Sequence, residues 1–119
     1  MTSLLKFQRI RARWLIAALA LGNAGPSAHA ADPLIVHLTL KDHRFEPQEV
    51  KIPANQTFTI KIKNLDPTPE EFESQSLRVE KVIVGGSEGT LQIRPLNAGR
   101  YRFFGDYNES TAFGYLDVR

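Results

Sequence analysis

The residues best equipped for chemistry in this sequence are carboxylates and imidazoles, and they fall in a few short phrases. Glu70-Glu71-Phe72-Glu73-Ser74 brings three acids close together, Asp106, Asn108 and Glu109 gather further oxygen donors, and His43 sits in Asp42-His43-Arg44-Phe45. Hard oxygen ligands suit iron, manganese or calcium, and a nearby imidazole widens the choice toward iron, copper or zinc. An extended backbone through Glu71-Phe72-Glu73 would place both carboxylates on one face and Phe72 on the other. The same run also reads as a solvated acidic loop, as charge runs usually are. His43 is open between a ligand, a support for one, and a turn residue, whereas His37, at an outward position of an alternating stretch, reads as a surface histidine.

Cysteine is absent from the chain. That removes disulfides, and it removes the thiolate on which a blue-copper charge-transfer centre depends. A phosphate loop and a His-Glu-x-x-His pair are also missing, so nucleotide and zinc-peptidase chemistry have no support.

The N-terminus addresses the chain. Lys6, Arg9, Arg11 and Arg13 precede the apolar run Trp14 to Leu21, and Ala28-His29-Ala30 offers a small-x-small cleavage site, so residues 1–30 read as an export signal peptide and residues 31–119 as one domain. The apolar run falls short of the roughly 20 residues of a membrane span. A periplasmic location is expected, with any membrane association made through a partner. The leader holds four of the 15 Lys+Arg and none of the 13 Asp+Glu, so the remainder carries a net charge of −2. Its basic residues are scattered among acidic ones, which gives no footprint for nucleic acid.

The elements that must position these side chains are strands. Leu34, Val36, Leu38 and Leu40 alternate with polar or outward residues, as do Phe58, Ile60 and Ile62, and a period of two marks a half-buried strand. Shorter candidates follow at Glu49 to Ile52, Lys81 to Val84, Gly89 to Ile93, Gly99 to Phe103 and Gly114 to Val118, separated by Pro-, Gly- and Asn-rich turns. About seven short strands at this spacing predict an all-β Greek-key sandwich, with at most a helical turn at Pro69 to Ser74.

Phe45-Glu46-Pro47, Val50, Ile52-Pro53-Ala54 and Phe58-Thr59-Ile60 up to Asn64 resemble the opening half of cupredoxin-like domains. Pro95 to Phe103, a loop, and Gly114 to Val118 resemble their final hairpin. The acidic-aromatic phrases Glu70 to Ser74, Arg78 to Ile83 and Phe103-Phe104-Gly105 are most similar to the cupredoxin-like components of bacterial iron-uptake systems, of the EfeO and FtrB kinds. The fold that the resemblance implies brings the Glu70 to Glu73 loop and the Asp106 to Glu109 loop together at one end of the sandwich. It also implies where blue-copper ligands would lie: the first His in the Glu70 to Glu73 segment, the Cys at about Gly105, the second His at Asn108, and the Met near Ala112 or Phe113. Phe45 and Phe104 fall close to a pair of cysteines in the EfeO kind, so aromatic packing between them could replace a cross-link.

These considerations yield an expected metal set of Glu71, Glu73, His43 and Asp106, with Glu70, Asn108 and Glu109 as weaker members, for an iron or copper ion. The role implied by the resemblance is a periplasmic metal-binding accessory of a ferrous-iron uptake system, beside an iron permease and a periplasmic iron-binding protein. Two alternatives stand next to it: a ferroxidase oxidising Fe(II) before transport, and a metal-free protein-interaction domain.

Overall fold

The computed structural model describes residues 32–119, in which nine strands form two sheets around one core. The expected leader, residues 1–30, lies outside the described residues. The first sheet has four strands and the second five.

The longest alternating stretches build the first sheet. Strands β1 (Ile35–Lys41) and β4 (Phe58–Asn64) run parallel, with Val36 beside Ile60 and Leu38 beside Ile62. Their inward side chains Val36, Leu38, Leu40, Phe58, Ile60 and Ile62 are all buried, as the period of two requires. The short β2 (Arg44–Glu46) folds back antiparallel on β1, and β7 (Glu88–Ile93) covers the other side of β4.

The second sheet contains β3 (Glu49–Ile52), β5 (Glu70–Ser74), β6 (Val79–Ile83), β8 (Gly99–Gly105) and β9 (Phe113–Val118). Its inner face contributes Phe72, Phe103 and Leu116. Phe45 from β2 meets Phe72 and Phe103 edge-on at centroid distances of 6.0 and 5.3 Å, while those two rings stack at 5.5 Å. Such offset and T-shaped pairs add about 0.5–1.5 kcal/mol each beyond the area they bury. Phe104 points out of the sheet instead, under the Arg102 guanidinium. The suggested Phe45–Phe104 contact is therefore replaced by Phe45–Phe72 and Phe45–Phe103, because consecutive residues of a strand face opposite sides.

The strand count exceeds the expected seven because β2 is only three residues long and β5 is mostly glutamate. Neither carries a pattern long or apolar enough to stand out. Pro69 to Ser74 does not form a helical turn, since Glu70 to Ser74 are extended and paired on both sides, by β6 and β8.

Candidate metal centre

Strand β5 decides which carboxylates can meet. Its burial alternates, with Glu70, Phe72 and Ser74 buried and Glu71 and Glu73 partly exposed. Both partly exposed acids thus lie on the outer face of the second sheet. The neighbouring β8 sets Phe104 opposite Glu73 and Gly105 opposite Phe72. The chain then enters a 3-10 turn, Asp106–Asn108, which brings Asp106 to the same place. One carboxylate oxygen from each of Glu71, Glu73 and Asp106 lies within 4.8 Å of the others. Oxygens bound to one hard cation at roughly 2.0–2.6 Å stand at most about 4–5 Å apart, so the spacing suits a shared ion.

No cation side chain lies within ion-pair distance of these three acids among the described residues. Glu80 faces Glu73 across the β5–β6 ladder, and like charges directly opposite destabilise a sheet. Partial burial, then the charges of Asp106, Glu71, Glu80 and Glu109, hold the Glu73 carboxyl above the usual carboxylate range. The neighbouring Tyr107 phenol is pushed up as well, by desolvation and then by the Glu71 carboxylate.

The remaining expected donors are placed otherwise. Glu70 faces inward and is 2% exposed. Its Oε1 accepts the backbone N–H groups of Tyr107 at 2.9 Å and Glu71 at 3.1 Å, and its Oε2 accepts Asn108 Nδ2–H at 2.7 Å. Asn108 is thereby engaged with Glu70, and its carbonyl accepts the N–H groups of Thr111 and Ala112. Glu109 pairs with Arg102 at 3.2 Å.

His43 belongs to the β1–β2 turn and is not part of the carboxylate group. Asp42 and His43 both have positive φ, 52° and 57°. Their N–H groups donate to the two carboxylate oxygens of Asp66 at 2.7 and 3.0 Å, and the imidazole Nδ1 stands 3.6 Å from Asp66 Oδ2. Asp66 is in turn fixed by buried Asn64, whose Oδ1 accepts the Asp66 N–H while its Nδ2 donates to the carbonyls of Thr68 and Ile83. Sequence reasoning missed this Asn64–Asp66 pair. It also missed the inward turn of Glu70, although the alternation that groups Glu71 with Glu73 places Glu70 on the side of Phe72.

The model of the cupredoxin-like domain family matches residues 13–118. An uncharacterised protein of Rickettsia prowazekii, strain Madrid E, is 37% identical over 94 residues, spanning 79% of this chain and 75% of that protein. Among solved structures, the metal-binding domain of the Cu(I)-exporting P-type ATPase CopA of Streptococcus pneumoniae D39, solved with Cu(I), is similar with a TM-score of 0.64 and 14% identity, over 71% of this chain and 84% of that one. Auracyanin A, a blue copper protein from Chloroflexus aurantiacus, is similar with a TM-score of 0.64 and 15% identity, over 73% and 99% of the respective chains. Identities this low speak for the fold, and the two-sheet architecture agrees. A match extending over most of its length places this chain in the cupredoxin-like domain family.

Proposed function

We propose that this domain is a periplasmic cation-binding accessory of a ferrous-iron uptake system, holding a hard cation between Glu71, Glu73 and Asp106 beside an iron permease and a periplasmic iron-binding protein. The observation that carries the reading is the convergence of those three carboxylates, with no counter-ion among the described residues and with the Glu73 proton held too tightly for an ordinary surface acid. A cation there would relieve the mutual repulsion and replace the proton. The assignment to iron uptake rests on the acidic-aromatic phrases of the sequence. Copper stays in the test because similar structures include copper proteins by name, but an all-oxygen donor set favours the harder ions.

Anaerobic calorimetric titration of the full chain with Fe(II), Mn(II) and Cu(II), repeated for Glu71→Ala, Glu73→Ala and Asp106→Ala, tests this directly. Expected is saturable Fe(II) or Mn(II) binding that each substitution weakens at least tenfold. A wild-type chain that takes up neither ion overturns the reading. Stoichiometric uptake without catalytic loss of Fe(II) under oxygen separates a carrier from a ferroxidase. A second reading, a metal-free docking domain, is favoured by exposed Leu65, Val84 and Tyr107 on the loops that follow β4, β6 and β8.

A further inference from the structure

A blue-copper centre takes two histidines, a cysteine and a weak axial ligand. The places that the resemblance assigns to them fall in the Glu70 to Glu73 segment and at Gly105, Asn108 and Ala112 or Phe113. These side chains do not fit copper, for they hold no imidazole or sulfur. Nor do they leave its place open. A Cβ built on Gly105 would stand 2.5 Å from Glu70 Cδ, 2.8 Å from Glu70 Oε1 and 2.9 Å from Ala112 Cβ. The space that a cysteine side chain would enter is thus filled by the Glu70 carboxyl group. Among the described residues no buried side-chain nitrogen or oxygen lacks a hydrogen-bond partner, so no buried donor is left aimed at an absent copper ion.

We propose that the Glu70 carboxylate replaces the metal ion as the tie between β5 and the β8–β9 loop. A metal in this position would join donors on the two segments. Here one buried carboxylate does so with hydrogen bonds from the Tyr107 N–H and Asn108 Nδ2–H, 37 and 38 residues further along the chain. Charge-assisted bonds are the strong class, and burial keeps water from competing for them. Glycine at position 105 follows from the same arrangement, since any larger residue would have to displace the carboxylate. The tie is separate from cation binding at Glu71, Glu73 and Asp106, because Glu70 faces inward while Glu71 and Glu73 lie on the outer face.

Urea unfolding of the full chain tests the tie, using Glu70→Ala, Asn108→Ala and the double variant, with amide exchange followed at Tyr107. Each single substitution is expected to lower the midpoint. The double variant should fall no further than Glu70→Ala, because partners in one interaction are not additive. Exchange at Tyr107 should quicken about tenfold or more as its charged acceptor is lost. Gly105→Ala should lower the midpoint in the wild type and by less in the Glu70→Ala background. Fully additive losses, or unchanged Tyr107 exchange, overturn the proposal. If Glu70→Ala does not fold, Glu70→Gln decides: it keeps the shape and one acceptor, so Tyr107 exchange rises several-fold, and no rise overturns the proposal. Cu(I) should leave the wild-type midpoint unmoved, and a Cu(I)-dependent rise that disappears in Glu70→Gln overturns it too.

Discussion

Replacing Asp66 by alanine removes the acceptor that the Asp42 and His43 N–H groups share, at 2.7 and 3.0 Å. Hydrogen bonds to a charged group contribute about 1.5–3 kcal/mol each when buried. The Asp66 side chain is only 8% exposed but the His43 side chain beside it is 45% exposed, so water recovers part of the loss. Taking the low end for both bonds gives about 2–3 kcal/mol. For a domain of this size that is a drop of roughly 8–24 °C in Tm, using about 4–8 °C per kcal/mol. Asp66→Asn keeps one carbonyl acceptor and should lose about half as much. His43→Ala keeps both backbone bonds and removes only a partly exposed imidazole 3.6 Å from the Asp66 carboxylate, a contact that contributes at most about 1 kcal/mol. Thermal unfolding followed by far-ultraviolet circular dichroism would rank the three. A loss below about 1 kcal/mol for Asp66→Ala, or an equal loss for His43→Ala, would show that the turn is held by something other than the Asp66 carboxylate.

Three further outcomes follow from the same geometry. Glu73→Gln should make the chain at least as stable as wild type at pH 7, by urea titration. The folded state holds the Glu73 proton more tightly than the unfolded chain, so stability falls as pH rises through that raised value; the variant's advantage should therefore fade as pH drops toward the ordinary 4.5. Phe103→Ala should cost about 3–5 kcal/mol in chemical unfolding, because its fully buried ring packs against both Phe45 and Phe72. Arg102→Gln frees Glu109 and uncovers Phe104, but with both charged groups well exposed the measured loss should stay under about 1 kcal/mol.

The strands with long, clean alternation are legible in the sequence, and β1 and β4 start and stop within one or two residues of the pattern that marks them. Strand β5 was not legible as such, because three of its five residues are glutamates, which sheets use sparingly. Its extended form is imposed by pairing with β6 and β8, contacts that local sequence does not announce. The same division runs through the candidate site. Alternation alone groups Glu71 with Glu73, whereas Asp106 joins them through the β5–β8 register, more than thirty positions along the chain. Glu70 spends its oxygens on the N–H groups of Glu71, Tyr107 and Asn108 Nδ2, so Glu70 and Asn108 are tied to each other. His43 lay in a suggestive phrase, yet its positive φ and its bond to Asp66 reflect the tightness of a turn.

The position of β9 has a consequence for how the molecule comes into being. This strand is the last in chain order, yet it lies inside its sheet, parallel to β3 on one side and antiparallel to β8 on the other. Backbone bonds from Ala54 to Arg119 and from Arg119 to Ile52 carry the join to the final residue of the sequence. Until residues 113–119 are available, β3 and β8 have no strand to bridge them, and the inner face of that sheet lacks buried Leu116 and Val118. Strands as far apart in sequence as β3 and β9 that must find each other before the sheet closes make for non-local, slower folding. A chain emerging from its N-terminus therefore stays unable to complete this sheet until residues 113–119 have been made.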